Sequence, residues 1–242
     1  LSRISRAVTR CGAAIAPASR LKVSISMSPC GRARIAHVEM GILTDNRGGR
    51  LVVEDILVED IGHDRGAQPM HLIYAGIIDQ LIVRRSILRR SHYLGHLLKS
   101  RARSTEIRDS FLIGLGSRNS READFPCGGN ILFANVVIQK GAGSDNNDSI
   151  AVATEPKICA PYAGTSFTLR QSWIIFDRPA GILGTWGLKD PAPVNITGNR
   201  FVGPFKWEKF PPPESSNRFF PSRGSAGLRP REIPEIAGGA TR

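Results

Sequence analysis

Six apolar stretches repeat one pattern along the chain: RLVVEDILVED, QLIVRRSILRR, STEIRDSFLIG, NILFANVVIQK, SFTLRQSWIIF and PVNITGNRFVG. Each sets an apolar residue, then a small or polar one three positions on, then another apolar one. Val53, Val83, Ile107, Phe133, Leu169 and Ile196 hold the first site, at separations of 30, 24, 26, 36 and 27. Ser86, Ser110, Ser172 and Asn199 hold the small polar site, with Ile56 and Val136 in its place in two repeats. A second set of short strands precedes these: MGILTD, HLIYAG, GHLLKS, EADFPC, SIAVAT and GILGTW. Apolar residues alternate within them, as half-buried strands require, and the helical spacing i, i+3, i+4, i+7 is missing.

A unit of two or three short strands cannot bury its apolar side alone. Coiling the units and stacking the coils in parallel solves this. The expected fold is all-β: a right-handed parallel β-helix of about six to seven coils with an irregular C-terminal tail. A β-sandwich is the competing architecture; the Asn-Gly hairpin turns it would use are absent. The β-helix is expected over 1–204, with degenerate first coils in 1–40. Residues 205–242, rich in Pro, Ser and Arg, read as a cap over the coil end or a disordered tail.

Charge is uneven along the chain. The net +12 divides into +6 over 1–40, −3 over 41–69, +6 over 70–123, zero over 124–204 and +3 over 205–242. A mid-chain basic band favours an anionic polymer, or is ordinary surface arginine. Few aromatics interleave with it, so nucleic acid is disfavoured. No apolar run reaches the roughly 18 residues of a membrane span. The N-terminal apolar run is broken by Pro17 and does not read as a signal peptide; a first residue of Leu reads as a fragment or processed piece. The oligomeric state is left open.

Cys11, Cys30, Cys127 and Cys159 have neither CxxC spacing nor a His cluster, so no zinc site is expected, and they read as buried small hydrophobes. No metal or cofactor is expected. GAGSDNNDS lacks the spacing of a calcium loop and reads as a turn. GxSxG, HExxH and GxGxxG are absent.

Three first strands align at offsets of 25 and 25: from His71, His96 and Arg121. Tyr74, Lys99 and Asp124 then share one coil position. His71, His96 and Arg121 share another, and Gly76, Arg101 and Pro126 a third. In a β-helix such residues stack about 5 Å apart. Lys99 beside Asp124 and Tyr74 makes a proton-transfer set: Lys99 or Tyr74 moves the proton, Asp124 orients, and Arg101 neutralises a substrate carboxylate. β-Elimination or C5 epimerisation of a uronic acid polymer needs that arrangement. The same ladder also reads as a salt bridge decorating a sheet face.

GILTDN, HLIYAG, GHLLKSRA, DFPCGG and NVVIQKGAGSDNND together resemble a bacterial family of right-handed parallel β-helix repeat proteins in the pectate-lyase-like superfamily. The stretch Gly95–Ala102 matches its Gly-His-hydrophobic-hydrophobic-Lys-Ser-Arg-Ala motif completely. His71, Ile73, Tyr74 and Gly76 match a second motif, and Asp124, Pro126, Gly128 and Gly129 a third. The chain departs from the family pattern at Leu72, Cys127 and Val152, while Glu155 is kept. The resemblance implies a polysaccharide-active fold and favours an extracytoplasmic location.

The expected function is binding or processing of an acidic polysaccharide, of the lyase or epimerase type if catalytic. Lys99, Tyr74 and Asp124 are the candidate catalytic residues. Arg101, His71, His96 and Glu155 are the candidate substrate-binding residues. The alternative is a non-catalytic structural or adhesion solenoid.

Overall fold

The computed structural model describes residues 22–25, 33–44, 48–62, 68–189, 192–207 and 215–238. It is an all-β parallel solenoid of about six turns. Each turn contributes one strand to each of three sheets. The first sheet holds Lys22–Ile25, Arg50–Glu54, Gln80–Arg84, Ser104–Arg108, Asn130–Ala134, Ser166–Arg170 and Val194–Thr197. The second holds Ala33–Ala36, Ile56–Ile61, Ile87–Ser91, Phe111–Ile113, Val137–Lys140, Trp173–Phe176, Arg200–Val202 and Arg218–Phe220. The third holds Ile42–Thr44, Ile73–Ala75, Leu98–Ser100, Ala123–Phe125, Asp148–Val152, Gly181–Trp186 and Phe205–Lys206. Among the described residues no helix is long and apolar enough to cross a membrane.

The repeat spacing is the pairing register. Val53 pairs with Val83, Val83 with Ile107, Ile107 with Phe133, Phe133 with Leu169 and Leu169 with Ile196. All six are buried in one continuous core. The apolar residues five positions on, Val58, Leu88, Leu112, Ile138, Ile174 and Phe201, line the same core from the second sheet.

Each repeated stretch is two strands, bent at a corner. Asp55, Arg85, Asp109, Asn135 and Gln171 occupy the corner with φ between 51° and 54°, except Arg85 at 44°. Gly198 takes the same position with φ 66°. One left-handed residue per coil turns the chain from the first sheet to the second, a conformation that Asn, Asp and Gly tolerate best.

The small polar site follows that corner, and its side chains replace missing backbone partners. Ser110 Oγ accepts the Ser86 N–H at 3.1 Å, Ser172 Oγ accepts the Val136 N–H at 3.2 Å, and Asn199 Oδ1 accepts the Ser172 N–H at 3.0 Å. Asn217 Oδ1 accepts the Asn199 N–H at 3.0 Å, so the C-terminal segment supplies the last member. A buried N–H without an acceptor costs about 1–3 kcal/mol, which favours Ser or Asn at the turn where they occur.

The C-terminal segment adds Arg218–Phe220 to the end of the second sheet, then lies against that sheet's outer face. Phe220, Ala226, Leu228, Ile233 and Ile236 cover Ile87, Phe111, Ile113, Val137, Ile175 and Val202 there. Arg223 clamps Asp177 with two contacts, at 2.6 and 2.7 Å.

The acidic and basic blocks of the sequence interlock one coil apart. Arg84 and Arg85 meet Glu54 and Asp55, while Arg89 and Arg90 meet Glu59 and Asp60. Arg34 approaches Glu59 from the other side at 2.6 Å. Burial raises the Glu59 pKa, but hydrogen bonds from Arg34 and Arg89 outweigh it and hold the carboxyl below its ordinary value. Much of the linear basic band is therefore matched within the fold.

The reading of all cysteines as free buried hydrophobes is corrected. Cys127 and Cys159 form a disulfide, with Cα atoms 5.5 Å apart across a separation of 32 residues. Cys11 and Cys30 lie outside the described residues.

Candidate functional site

The third sheet brings the aligned residues together. Tyr74 pairs with Lys99, Lys99 with Asp124, and Asp124 with Ala151. Their neighbours Ile73, Ala75, Leu98, Ala123 and Phe125 belong to the core, so alternation turns Tyr74, Lys99 and Asp124 outward. Yet Lys99 is only 9% exposed and Asp124 only 1%. The segment after Val152 supplies part of the cover, because it carries Glu155 onto them.

Glu155 bridges two cations. Its Oε1 accepts from Lys99 Nζ at 2.7 Å and its Oε2 from Arg101 Nη2 at 2.6 Å. Lys99 Nζ also stands 3.3 Å from Asp124 Oδ2. The Arg101 guanidinium lies over the Tyr74 ring, 5.2 Å from its centroid. Burial raises the Glu155 pKa, but hydrogen bonds from Lys99 and Arg101 and their charges prevail and lower it. Asp124 moves the other way: burial lifts its pKa despite Lys99 and Arg121.

The segment bearing Glu155 is tied at several points. Cys159 is bonded to Cys127, and the Tyr162 N–H donates to the Cys127 carbonyl at 3.0 Å. The Tyr162 hydroxyl donates to the Arg101 carbonyl at 2.9 Å. At the segment's tip Lys157 and Ile158 are exposed.

His71 and His96 form the next column. Their rings stack 4.8 Å apart, 6° from parallel. His71 Nδ1 accepts the His96 N–H at 3.0 Å, and His96 Nδ1 accepts the Arg121 N–H at 3.2 Å. An acceptor Nδ1 puts the proton of each neutral ring on Nε2. His96 Nε2 stands 3.3 Å from Asp124 Oδ2, a close approach without an aligned hydrogen bond. Burial, then the nearby cations Lys99 and Arg101, pushes His71 down to about 3. Burial and the charges of His71 and Lys99 push His96 well below its ordinary value. Arg121 ends this column in an ion pair with Asp148 at 2.7 Å.

The structure thus gathers Tyr74, Lys99, Asp124, Arg101, His71, His96 and Glu155 into one neighbourhood. Three cations, Lys99, Arg101 and Arg121, face three carboxylates, Asp124, Glu155 and Asp148. Among the described residues no three or more His, Cys, Asp or Glu are grouped as for a metal ion.

Gly95, which opens the fully matched motif, has a packing reason. A Cβ there would stand 1.8 Å from the Met70 carbonyl oxygen and 2.1 Å from Ser91 Oγ. The glycine lets one coil pass close to the last, just before His96.

Sequence reasoning missed a second polar cluster. Lys140 and Glu122 are fully buried, with Nζ and Oε2 3.5 Å apart. Lys140 Nζ donates to the Ser120 carbonyl at 2.7 Å, and Asn119 Nδ2 donates to Glu122 Oε1 at 2.8 Å. The Lys140–Glu122 approach is a charge contact, because Oε2 accepts no hydrogen bond. Burial raises the Glu122 pKa and lowers that of Lys140. In sequence both look like strand-end surface residues, and nothing in their spacing marks them.

No protein-family model, curated protein or solved structure matches the chain.

Proposed function

We propose that this solenoid binds an acidic polysaccharide on its third sheet, with Lys99 and Arg101 receiving a uronate carboxylate. The observation that carries the reading is Glu155, whose carboxylate already spans Lys99 Nζ and Arg101 Nη2 at 2.7 and 2.6 Å. Groups placed to hold a protein carboxylate in this way suit a sugar carboxylate of the same shape. The ligand then takes the place of the Glu155 carboxylate, which swings aside while Cys159 and Tyr162 stay tied to Cys127. The likeness to pectate-lyase-like β-helix proteins points the same way.

If the site is catalytic, the reaction is removal of the proton beside the uronate carboxyl, ending in elimination or epimerisation. Arg101 would neutralise the carboxylate as charge builds on it. Tyr74 as its phenolate, or Lys99 in its neutral form, would take the proton, and Asp124 would orient Lys99.

The test is a panel of acidic and neutral glycans, scored for binding and for unsaturated product by ultraviolet absorbance. Wild type is expected to bind acidic members, and Lys99→Ala to lose that binding. A wild type that neither binds nor converts any acidic glycan overturns the proposal.

One observation favours a second reading, a non-catalytic scaffold. Each of the three cations pairs with one of the three carboxylates, as a ladder that only stabilises coils would require. Glu155→Ala separates the two. A ligand site gains affinity for acidic glycan, whereas a scaffold loses stability and gains nothing.

A further inference from the structure

The corner between the first and second sheets carries two columns of side chains. One runs Glu54, Arg84, Arg108, Ala134, Arg170, Thr197. The other is the left-handed column Asp55, Arg85, Asp109, Asn135, Gln171, Gly198. In the early coils each arginine meets an acid one coil away: Arg84 meets Glu54, and Arg85 meets Asp55 and Glu54. In the later coils the acids give way to Ala134, Asn135, Gln171 and Thr197, but Arg170 remains.

A cleft of about 600 Å³ opens there, lined by Arg108, Asp109, Asn135, Arg170, Gln171 and Arg200 among others. Arg108 is paired with Glu106, so Arg170 and Arg200 are the cations left to the cleft, and Asp109 already accepts from Asn135 Nδ2 at 2.6 Å. Arg170 is exposed and has no side-chain hydrogen bond or ion pair among the described residues. Arg200 lies over the Trp173 ring, 4.9 Å from its centroid, a contact that leaves its N–H edge open. Asn135 spends both amide protons, on Asp109 and on the Ala237 carbonyl, which leaves Oδ1 as an acceptor. Arg108 and Arg170 stand two coils apart, about 9–10 Å along the axis.

The geometry points to a second binding site here, for an acidic oligosaccharide. Arg170 and Arg200 take one carboxylate or sulfate group. The Gln171 amide and Asn135 Oδ1 take neighbouring hydroxyls. The volume lies within the roughly 300–1,000 Å³ of small-molecule clefts. Nucleic acid fits less well, because among the described residues no aromatic ring lines the cleft for base stacking. The site is on a different sheet from Lys99 and does not depend on the function proposed there.

The test is calorimetric titration of the full chain with short uronate, sulfated and neutral oligosaccharides, and with a single-stranded oligonucleotide. Wild type, Arg170→Ala/Arg200→Ala, Gln171→Glu and Lys99→Ala are compared, each with its thermal midpoint. Binding of a uronate or sulfated oligosaccharide should weaken about tenfold to a hundredfold in the double variant, the loss of charged hydrogen bonds. Gln171→Glu should weaken it comparably, by restoring the acid that Asp55 supplies to Arg85. Lys99→Ala should leave this binding event in place. Whichever acidic arm binds identifies carboxylate or sulfate as the group. Unchanged affinity in both cleft variants overturns the proposal, as does equal or tighter binding of the oligonucleotide. Loss confined to Lys99→Ala overturns it too, since the ligand then sits on the third sheet.

Discussion

The imidazoles of His71 and His96 stack 4.8 Å apart, and His71 Nδ1 holds the His96 N–H at 3.0 Å. A ring used this way works only while neutral. Burial, then the cations beside it, holds His71 down to about 3, and His96 is also well below its ordinary value. The folded chain therefore binds fewer protons than the unfolded one once the pH drops below about 6.5. Stability should fall from there toward about 3 for His71, by up to about 1.4 kcal/mol per pH unit for each ring. Asp124 and Glu122, whose pKa values are raised, act with the opposite sign, since their protonation favours the fold. Chemical denaturation of wild type and His71→Asn between pH 7 and pH 4.5 isolates one ring. The variant keeps an acceptor and should show the shallower pH dependence.

The Cys127–Cys159 bond closes a loop with 32 residues of separation. By the chain-entropy model such a bond is worth about 3–4 kcal/mol. Denaturant unfolding with and without reductant should show a loss of that order or somewhat less. Cleavage after the exposed Lys157 by a lysine-directed protease should speed up on reduction. Equal cleavage rates in both states would mean that the non-covalent ties of Glu155 and Tyr162 hold the segment without the disulfide.

Lys140 and Glu122 share a fully buried site. Removing one partner strands the other charge, which typically costs about 3–5 kcal/mol. Lys140→Met should destabilise by that much, and the double change Lys140→Met/Glu122→Gln should recover a large part. A double-mutant cycle by denaturant titration measures the coupling directly.

At the corner, Ser172→Ala removes the acceptor of the buried Val136 N–H and should cost about 1–3 kcal/mol. Thr168→Ala, a half-buried change in the preceding strand, serves as a control and should cost little.

The coiled fold was legible because a solenoid writes its pairing register into its spacing. The interval from Val53 to Val83 is the offset at which their strands pair, and Lys99 meets Asp124 for the same reason. The bend within each stretch was not legible. It depends on a left-handed φ that falls on Arg85 and Gln171 as well as on Asp55, so composition does not reveal it. Cys159 escaped notice because its distance from Cys127 is set by the path of an irregular segment. Asn217 escaped because it joins the serine column from beyond the repeats.

That column also has a direction. Each acceptor belongs to the coil after the N–H it satisfies, from Ser110 for Ser86 to Asn217 for Asn199. A chain emerging from the ribosome N-terminus first would carry its newest corner unsatisfied until the next coil was made. During synthesis the last corner, at Asn199, has no such acceptor until the chain reaches Asn217.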